Sequence, residues 1–306
     1  MLAVKNLQKS FGPILAVRGV SFGAETGEVL GFLGPNGAGK TTTMRMITGF
    51  LPATAGTAVI NGFDIAEKPR EAKKQIGYLP ENAPVYGEMT VWNYLAFIAE
   101  IRGFCGANVK KTVGATIEKC RLEKVRHQAI GTLSKGYRQR VCFAQALLHE
   151  PPVLIMDEPT DGLDPNQKHI VRTMIREMAE RKTVIISTHI LEEVEAVCSR
   201  AIIICNGAII ANGSPAELKT RSAAHGSVEI TFQSSDREIA AKMGQLPSAA
   251  EAVAEGNRVT IRPKNASGLF PEVMQLVMAN PNWQVTGLRT LDGRLDDVFR
   301  ELTGNK

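Results

Sequence analysis

The sequence has no apolar run approaching the roughly 18 to 20 residues that cross a bilayer as a helix. Stretches such as Val153–Met156 and Ala201–Cys205 have strand length instead. The N-terminus, Met1-Leu2-Ala3-Val4-Lys5, lacks a basic region followed by a long apolar segment and a small-residue cleavage site, so no secretory signal is expected. These absences predict a cytoplasmic chain and leave any membrane-spanning function to another protein. The five cysteines are odd in number, widely spaced and never in a C-x-x-C arrangement, which excludes a disulfide framework or a zinc site and leaves reduced packing residues. There is no internal repeat or low-complexity tract. Nor does charge of one sign accumulate. Of the net +5, residues 225–306 carry nine basic and ten acidic side chains, so a dispersed +6 belongs to residues 1–224. Without a basic tail, this is weak ground for nucleic-acid binding and equally compatible with a position beside an anionic leaflet.

What is there is an ordinary globular composition of 306 residues, 44% hydrophobic and 22% charged, enough for a substantial core. Residues 1–222 read as strands alternating with helices, an α/β body whose sheet is covered on both faces. The short β-rich runs Val29–Leu33, Gln75–Leu79, Val153–Met156, Thr183–Ser187 and Ala201–Cys205 are its expected central strands. Between the second and third of these, Thr90–Leu133 shows helical periodicity in Val91, Tyr94, Leu95 and Ile98, which predicts a helical insertion over about residues 88–150. Ser, Ala, His and Gly replace the periodic pattern over Lys219–Gly226, the signature of a linker. Beyond it, strands at Ser227–Phe232, Arg258–Arg262 and Trp283–Leu291 alternate with helices at Ile239–Leu246 and Phe270–Met278. This order predicts a small α+β domain over residues 226–306.

The motif Gly34-Pro35-Asn36-Gly37-Ala38-Gly39-Lys40-Thr41, followed by Thr42, matches G-x-x-x-x-G-K-[ST] between a strand and a helix-forming segment. Its glycines let backbone N–H groups wrap a phosphate, and the helix N-terminus adds positive potential. Lys40 is expected to reach the β- and γ-phosphates of a nucleotide, and the Thr41 hydroxyl to ligate Mg²⁺. The motif alone fits a GTPase or a kinase equally well. A second half of the site is expected at Asp157 and Glu158, two carboxylates ending an apolar strand. Asp157 can hold the metal shell, and Glu158, close to the metal but not on it, can polarise an attacking water. Ser134 is a natural N-cap for the helix-like run through His149.

With the Leu133-Ser134-Lys135-Gly136-Tyr137 element, the Gly162-Leu163-Asp164 turn and Ser187-Thr188-His189 in this order, the chain resembles an ABC ATPase over residues 1–220. The resemblance implies ATP as ligand and two nucleotide domains, as a homodimer, closing head to tail on two nucleotides. Ser134 and Gly136 would then contact the γ-phosphate held by the partner's loop, His189 would sense that phosphate, and Asp164 would link the two sites. Phe11 resembles the family's adenine-stacking aromatic, although a lone Phe near a terminus is as often core. The helical insertion and Glu81–Tyr86 would contact a membrane permease on a separate chain, placing this chain on the inner face of the cell membrane.

The sequence departs from the family's usual pattern at two places. Lys135 and Tyr137 stand where the signature usually reads Gly and Gln, and Glu81 stands where a metal-touching Gln is usual. These features, with Leu295–Leu302 near the end, resemble ATPases of ABC-2-type exporters, the gliding-motility, sodium-export and drug-resistance group. Two alternatives stay open here. An ATPase acting on ribosomes or DNA would be expected to carry two nucleotide domains or long coiled coils, which the sequence lacks. An importer motor would share the chemistry, though the C-terminal element argues mildly against it.

Overall fold

The computed structural model describes residues 1–82, 84–233, 237–264 and 268–304. Ala83, inside the expected contact segment Glu81–Tyr86, lies outside the described residues. The chain forms two units, Met1–Asn212 and Gly213–Lys306. The division falls earlier than the composition change suggests, because the short helix over Pro215–Lys219 packs with the last helix of the second unit.

The first unit opens with strands β1 (Leu2–Phe11) and β2 (Ile14–Ala24), then β3 (Val29–Leu33), helix α1 (Lys40–Ile47), β4 (Ala55–Ile60), β5 (Phe63–Asp64), α2 (Pro69–Lys74) and β6 (Ile76–Leu79). The insertion supplies α3 (Val91–Ile101), α4 (Ala107–Lys119) and α5 (Lys135–Leu147). The chain returns through β7 (Val153–Asp157), α6 (Pro165–Ala179), β8 (Thr183–Thr188), α7 (Leu191–Val197), β9 (Arg200–Cys205) and β10 (Ala208–Gly213). β1, β2, β4 and β5 form one sheet in the order β2-β1-β4-β5. The six-stranded sheet runs β10-β9-β3-β8-β7-β6.

The pairs β9–β3, β3–β8, β8–β7 and β7–β6 are parallel. Every residue of β3, β7 and β8 is buried, as expected for strands covered on both faces, and this is why they read as continuous apolar runs. Parallel strands put their C-terminal ends on one edge, so the residues following Leu33, Leu79, Asp157 and Thr188 are brought to the same side of the sheet. The antiparallel sheet was not legible in the sequence. β1 carries register shifts between Val4 and Leu7 and between Lys9 and Ser10, which break the period-2 alternation.

In the insertion, α3 buries Val91, Tyr94, Leu95 and Ala99, while Ile98 is half-buried. Its N-cap Thr90 accepts a hydrogen bond from Asn93 N at 3.2 Å.

The second unit contains α8 (Pro215–Lys219), β11 (His225–Phe232), α9 (Arg237–Gly244), β12 (Ala249–Glu255), β13 (Arg258–Pro263), α10 (Leu269–Ala279), β14 (Val285–Asp292) and α11 (Leu295–Thr303). Its sheet runs β12-β13-β11-β14, a split β-α-β-β-α-β arrangement. Val228, Ile230 and Phe232 of β11 pack with Ile239, Met243, Val259, Ile261 and Val273 in a core of their own. The sequence AAEAVAE of β12 was not expected as a strand, since alanine and glutamate have low β propensity; its pairing with β13 decides the conformation.

Candidate active site

The loop after β3 is shaped by what its glycines exclude. A Cβ on Gly34 would lie 2.5 Å from the Ile204 carbonyl, and Gly39, at φ 105, would bring one within 2.8 Å of the Ala16 carbonyl. Gly39 is the N-cap of α1 and offers no capping side chain, so the first-turn amides of this helix have no side-chain partner. Ala38 is buried and its carbonyl accepts from Gly207 N at 3.0 Å, while the Pro35 carbonyl accepts from Ala38 N at 3.2 Å. Pro35 and Ala38 therefore set the loop's shape, whereas Asn36, Gly37, Gly39, Lys40, Thr41 and Thr42 face a cleft of about 260 Å³.

Lys40 is 6% exposed, and its Nζ donates to the carbonyls of Gly34 at 2.8 Å and Pro35 at 3.3 Å. Glu158 Oε1 lies 3.9 Å from the same ammonium. Burial pushes the Lys40 ammonium below its ordinary pKa, against the opposing pull of Glu158, Asp157 and Glu81. The ammonium is thus buried beside carboxylates that partly offset the effect of burial.

Asp157 ends β7 and is 1% exposed. Its Oδ1 accepts from the Thr41 hydroxyl at 3.3 Å and from the Ser187 hydroxyl, while Oδ2 has no protein partner. A buried carboxylate oxygen without a partner is costly unless a ligand meets it.

Glu158, the next residue, adopts φ 49, a left-handed conformation that costs a non-glycine residue on the order of 1–2 kcal/mol. Its N–H donates to Ser187 O at 3.0 Å and its carbonyl accepts from Asp161 N at 3.2 Å. This sharp turn aims the carboxylate away from the strand direction and into the cleft, where Oε1 lies 3.0 Å from His189 Nδ1 and Oε2 has no protein partner. If Nδ1 carries the proton it donates to Glu158 and leaves Nε2 as an acceptor. Glu81 and His189 line the same cleft.

Sequence reasoning missed Ala16 and Asp161, which also line it. Asp161 was findable, since it lies three residues beyond Glu158 in a turn rich in small residues. Ser187, quoted only as part of a motif, holds both Asp157 and the Glu158 amide.

Gly34, Pro35, Ala38 and Asp157 support the cleft from behind its lining, and four further expected site residues, Phe11, Ser134, Gly136 and Asp164, stand away from it. Phe11 is 48% exposed near the end of β1, with the Lys9 ammonium 5.2 Å from its ring centroid. Ser134 caps α5 by accepting from Tyr137 N at 3.4 Å, and Gly136 is buried on that helix. Asp164 caps α6 by accepting from Gln167 N at 3.0 Å.

The profile of the ABC transporter family matches residues 17–161, which hold the loop, the capped α5 and the paired carboxylates. The chain is 34% identical to the Nod factor export ATP-binding protein I of Ralstonia nicotianae across 100% of its own length and 94% of that protein's. The chain belongs to the ABC transporter ATP-binding proteins. It is also 35% identical to the linearmycin resistance ATP-binding protein LnrL of Bacillus subtilis, over 76% of this chain and 75% of the relative. Among solved structures, an ATP-binding subunit of an ABC transporter superposes with a TM-score of 0.65 at 32% identity, covering 72% of this chain and 92% of that one. As an ABC cassette, the first unit binds ATP, and its activity is ATP hydrolysis. Among the described residues no helix is long and apolar enough to cross a membrane.

Proposed function

We propose that this chain is the motor subunit of an ABC-2-type exporter, with Glu158 as the general base of ATP hydrolysis. The observation that carries the reading is the left-handed turn at Glu158, which sets its carboxylate between Lys40 and His189 in the phosphate-loop cleft. The exporter assignment is supported by relatives named for Nod factor export and linearmycin resistance.

The donor set fits Mg²⁺. Thr41, Asp157 and Glu81 offer hard oxygen ligands, and Asp157 Oδ2 is buried and unpartnered. Among the described residues no cluster of three or more His, Cys, Asp or Glu forms a metal cage, consistent with an ion held largely by phosphate and water. When bound, the ion supplies electrophilic stabilisation to the charge developing on the phosphates. In this reading the Gly34–Thr42 loop binds the phosphates, and Lys40 exchanges the loop carbonyls for phosphate oxygens. Glu158 Oε2 takes a proton from the attacking water. His189, held by Oε1, orients both that carboxylate and, through Nε2, the phosphate side of the cleft.

Ser134, Gly136 and Asp164 lie outside the cleft of their own chain. This supports a head-to-tail dimer, a homodimer in the simplest case, in which each chain completes its partner's site. A groove of about 770 Å³ in the first unit, with exposed Phe50, Tyr86, Phe97 and Ile101 on its wall, supports docking of an apolar permease segment and hence a position at the inner membrane face. We expect no nucleic-acid partner. In Glu158→Gln, turnover should fall about 10²- to 10⁴-fold with ATP affinity retained. Affinity purification of that variant from solubilised membranes with ATP and Mg²⁺ should recover a multi-spanning permease. Normal turnover would sink the base assignment, and recovery of ribosomes or DNA-bound partners alone would sink the transport reading.

A further inference from the structure

Helix α5 carries Lys135, Gly136 and Gln139 within one turn and on a common face. That face meets the segment following Glu158 at three points. Gln139 Nε2 donates to the Pro159 carbonyl at 3.1 Å. The Lys135 ammonium occupies the space that a Cβ on Gly162 would need, and a Cβ on Gly136 would come within 2.5 Å of the Gln167 side chain. The first of these contacts falls on the residue immediately after the base.

The left-handed backbone of Glu158 is not self-sustaining, because a glutamate at φ 49 relaxes unless its neighbours fix it. On its N-terminal side the Glu158 amide is fixed to Ser187 O, and the turn is closed by Asp161 N on the Glu158 carbonyl. The next peptide begins with proline, which has no N–H to give, so its carbonyl is its only backbone hydrogen-bonding group. The half-buried Gln139 amide takes that carbonyl.

We propose that Gln139 is a positioning residue for Glu158, holding the Pro159 carbonyl so that the left-handed turn keeps the Glu158 carboxylate between His189 and the cleft. The inference rests on Glu158 acting as the base. It also gives α5 a second task. Ser134 caps the same helix, so the geometry of the base follows the helix whose N-terminus is offered to a partner's nucleotide.

The test is steady-state ATP hydrolysis by Gln139→Met, which keeps side-chain length but has no donor. Gln139→Glu, whose carboxylate keeps the shape and cannot donate at neutral pH, is the second variant and decides the question should the first fail to fold. Either should lower kcat about 10- to 100-fold, with the KM for ATP and nucleotide affinity changing less than about twofold. In a Glu158→Gln background the same substitution should leave residual turnover unchanged, because the group it positions is already gone. A merely structural role predicts instead that KM and nucleotide affinity move too, and that losses multiply in the double variant; either result overturns the proposal. Near-normal kcat in Gln139→Met beside an inactive Glu158→Gln overturns this inference alone. Normal turnover in Glu158→Gln marks failure of the base assignment, and the inference falls with it.

Discussion

The sheets of the two units treat their charged side chains in opposite ways. In Gly213–Lys306 the charges pair across neighbouring strands: Arg289 Nη2 meets Glu229 at 2.8 Å and Arg262 meets Glu251 at 3.1 Å. The carboxylate of Glu272 on α10 accepts both the Ser248 amide and its hydroxyl. In Met1–Asn212 the charges at the parallel strand ends close only in part: Glu158 Oε1 meets the Lys40 ammonium at 3.9 Å and His189 Nδ1 at 3.0 Å. Asp157 Oδ2 and Glu158 Oε2 lack protein partners, the Lys40 ammonium is buried, and Glu158 sits in a left-handed backbone conformation. In the second unit's sheet, surface charges of opposite sign neutralise one another. In the first unit's cleft, which binds ATP, backbone turns leave one oxygen of each carboxylate unpaired, at a cost in stability carried by the surrounding apolar core.

The sharpest way to break this comparison is to damage the core of the second unit. Ile230 is fully buried at the centre of β11, opposite Val259 on β13 and Leu288 on β14. Ile230→Ala should destabilise that unit by about 2–5 kcal/mol. Because the second unit has a core of its own, urea denaturation should show one transition shifted and the other in place, with ATP affinity of the first unit retained. A single transition that moves as a whole would mean that the two units fold as one.

A somewhat smaller effect tests a half-buried polar group of the first unit that lies outside the nucleotide cleft. His149 Nε2 bonds the Ile76 carbonyl at 3.1 Å, and Nδ1 has no partner. Burial, reinforced by Arg102 and Lys182, pushes its pKa down from 6.5 to about 4. The unfolded chain therefore takes a proton at this position that the folded chain refuses between those values, so stability falls as pH drops from about 6.5 toward 4. The full effect amounts to at most about 3 kcal/mol, reduced by solvent screening of the half-buried ring. His149→Gln keeps a donor for Ile76 and does not titrate; relative to wild type, its denaturation midpoint should fall less between pH 7 and pH 4. Parallel pH curves for the two proteins would refute the assignment.

What was legible in the sequence follows from how each feature is encoded. Val29–Leu33, Val153–Met156 and Thr183–Ser187 read as strands because parallel strands buried on both faces leave uninterrupted apolar runs. β1 did not, because its bulges shift the register that alternation depends on. Lys40, Asp157, Glu158 and His189 were legible because each ends or directly follows a strand or sits in a phosphate loop, where one-dimensional order maps onto one edge of the sheet. Gln139 and Ser187 were not, because their work is a hydrogen bond to a backbone group distant in sequence. The structure divides the chain at Gly213, ahead of the change in composition. The composition changes after Lys219, whereas packing assigns the capped helix of Ser214–Lys219 to the second unit.

The smallest predicted effect concerns the charge pairs of the second unit. Arg289 is about two-thirds exposed and reaches Glu229, which is 15% exposed, across paired strands. An exposed partner is screened by solvent and loses side-chain entropy on pairing, so Arg289→Ala should cost no more than about 1 kcal/mol. The effect should shrink further in about 0.5 M salt, where charges are screened within a few ångströms. Double-mutant analysis with Glu229→Gln would isolate the pair. A coupling well above that range, or one insensitive to salt, would mean that the second unit also holds a charge in a demanding environment, and the contrast between the two sheets would no longer stand.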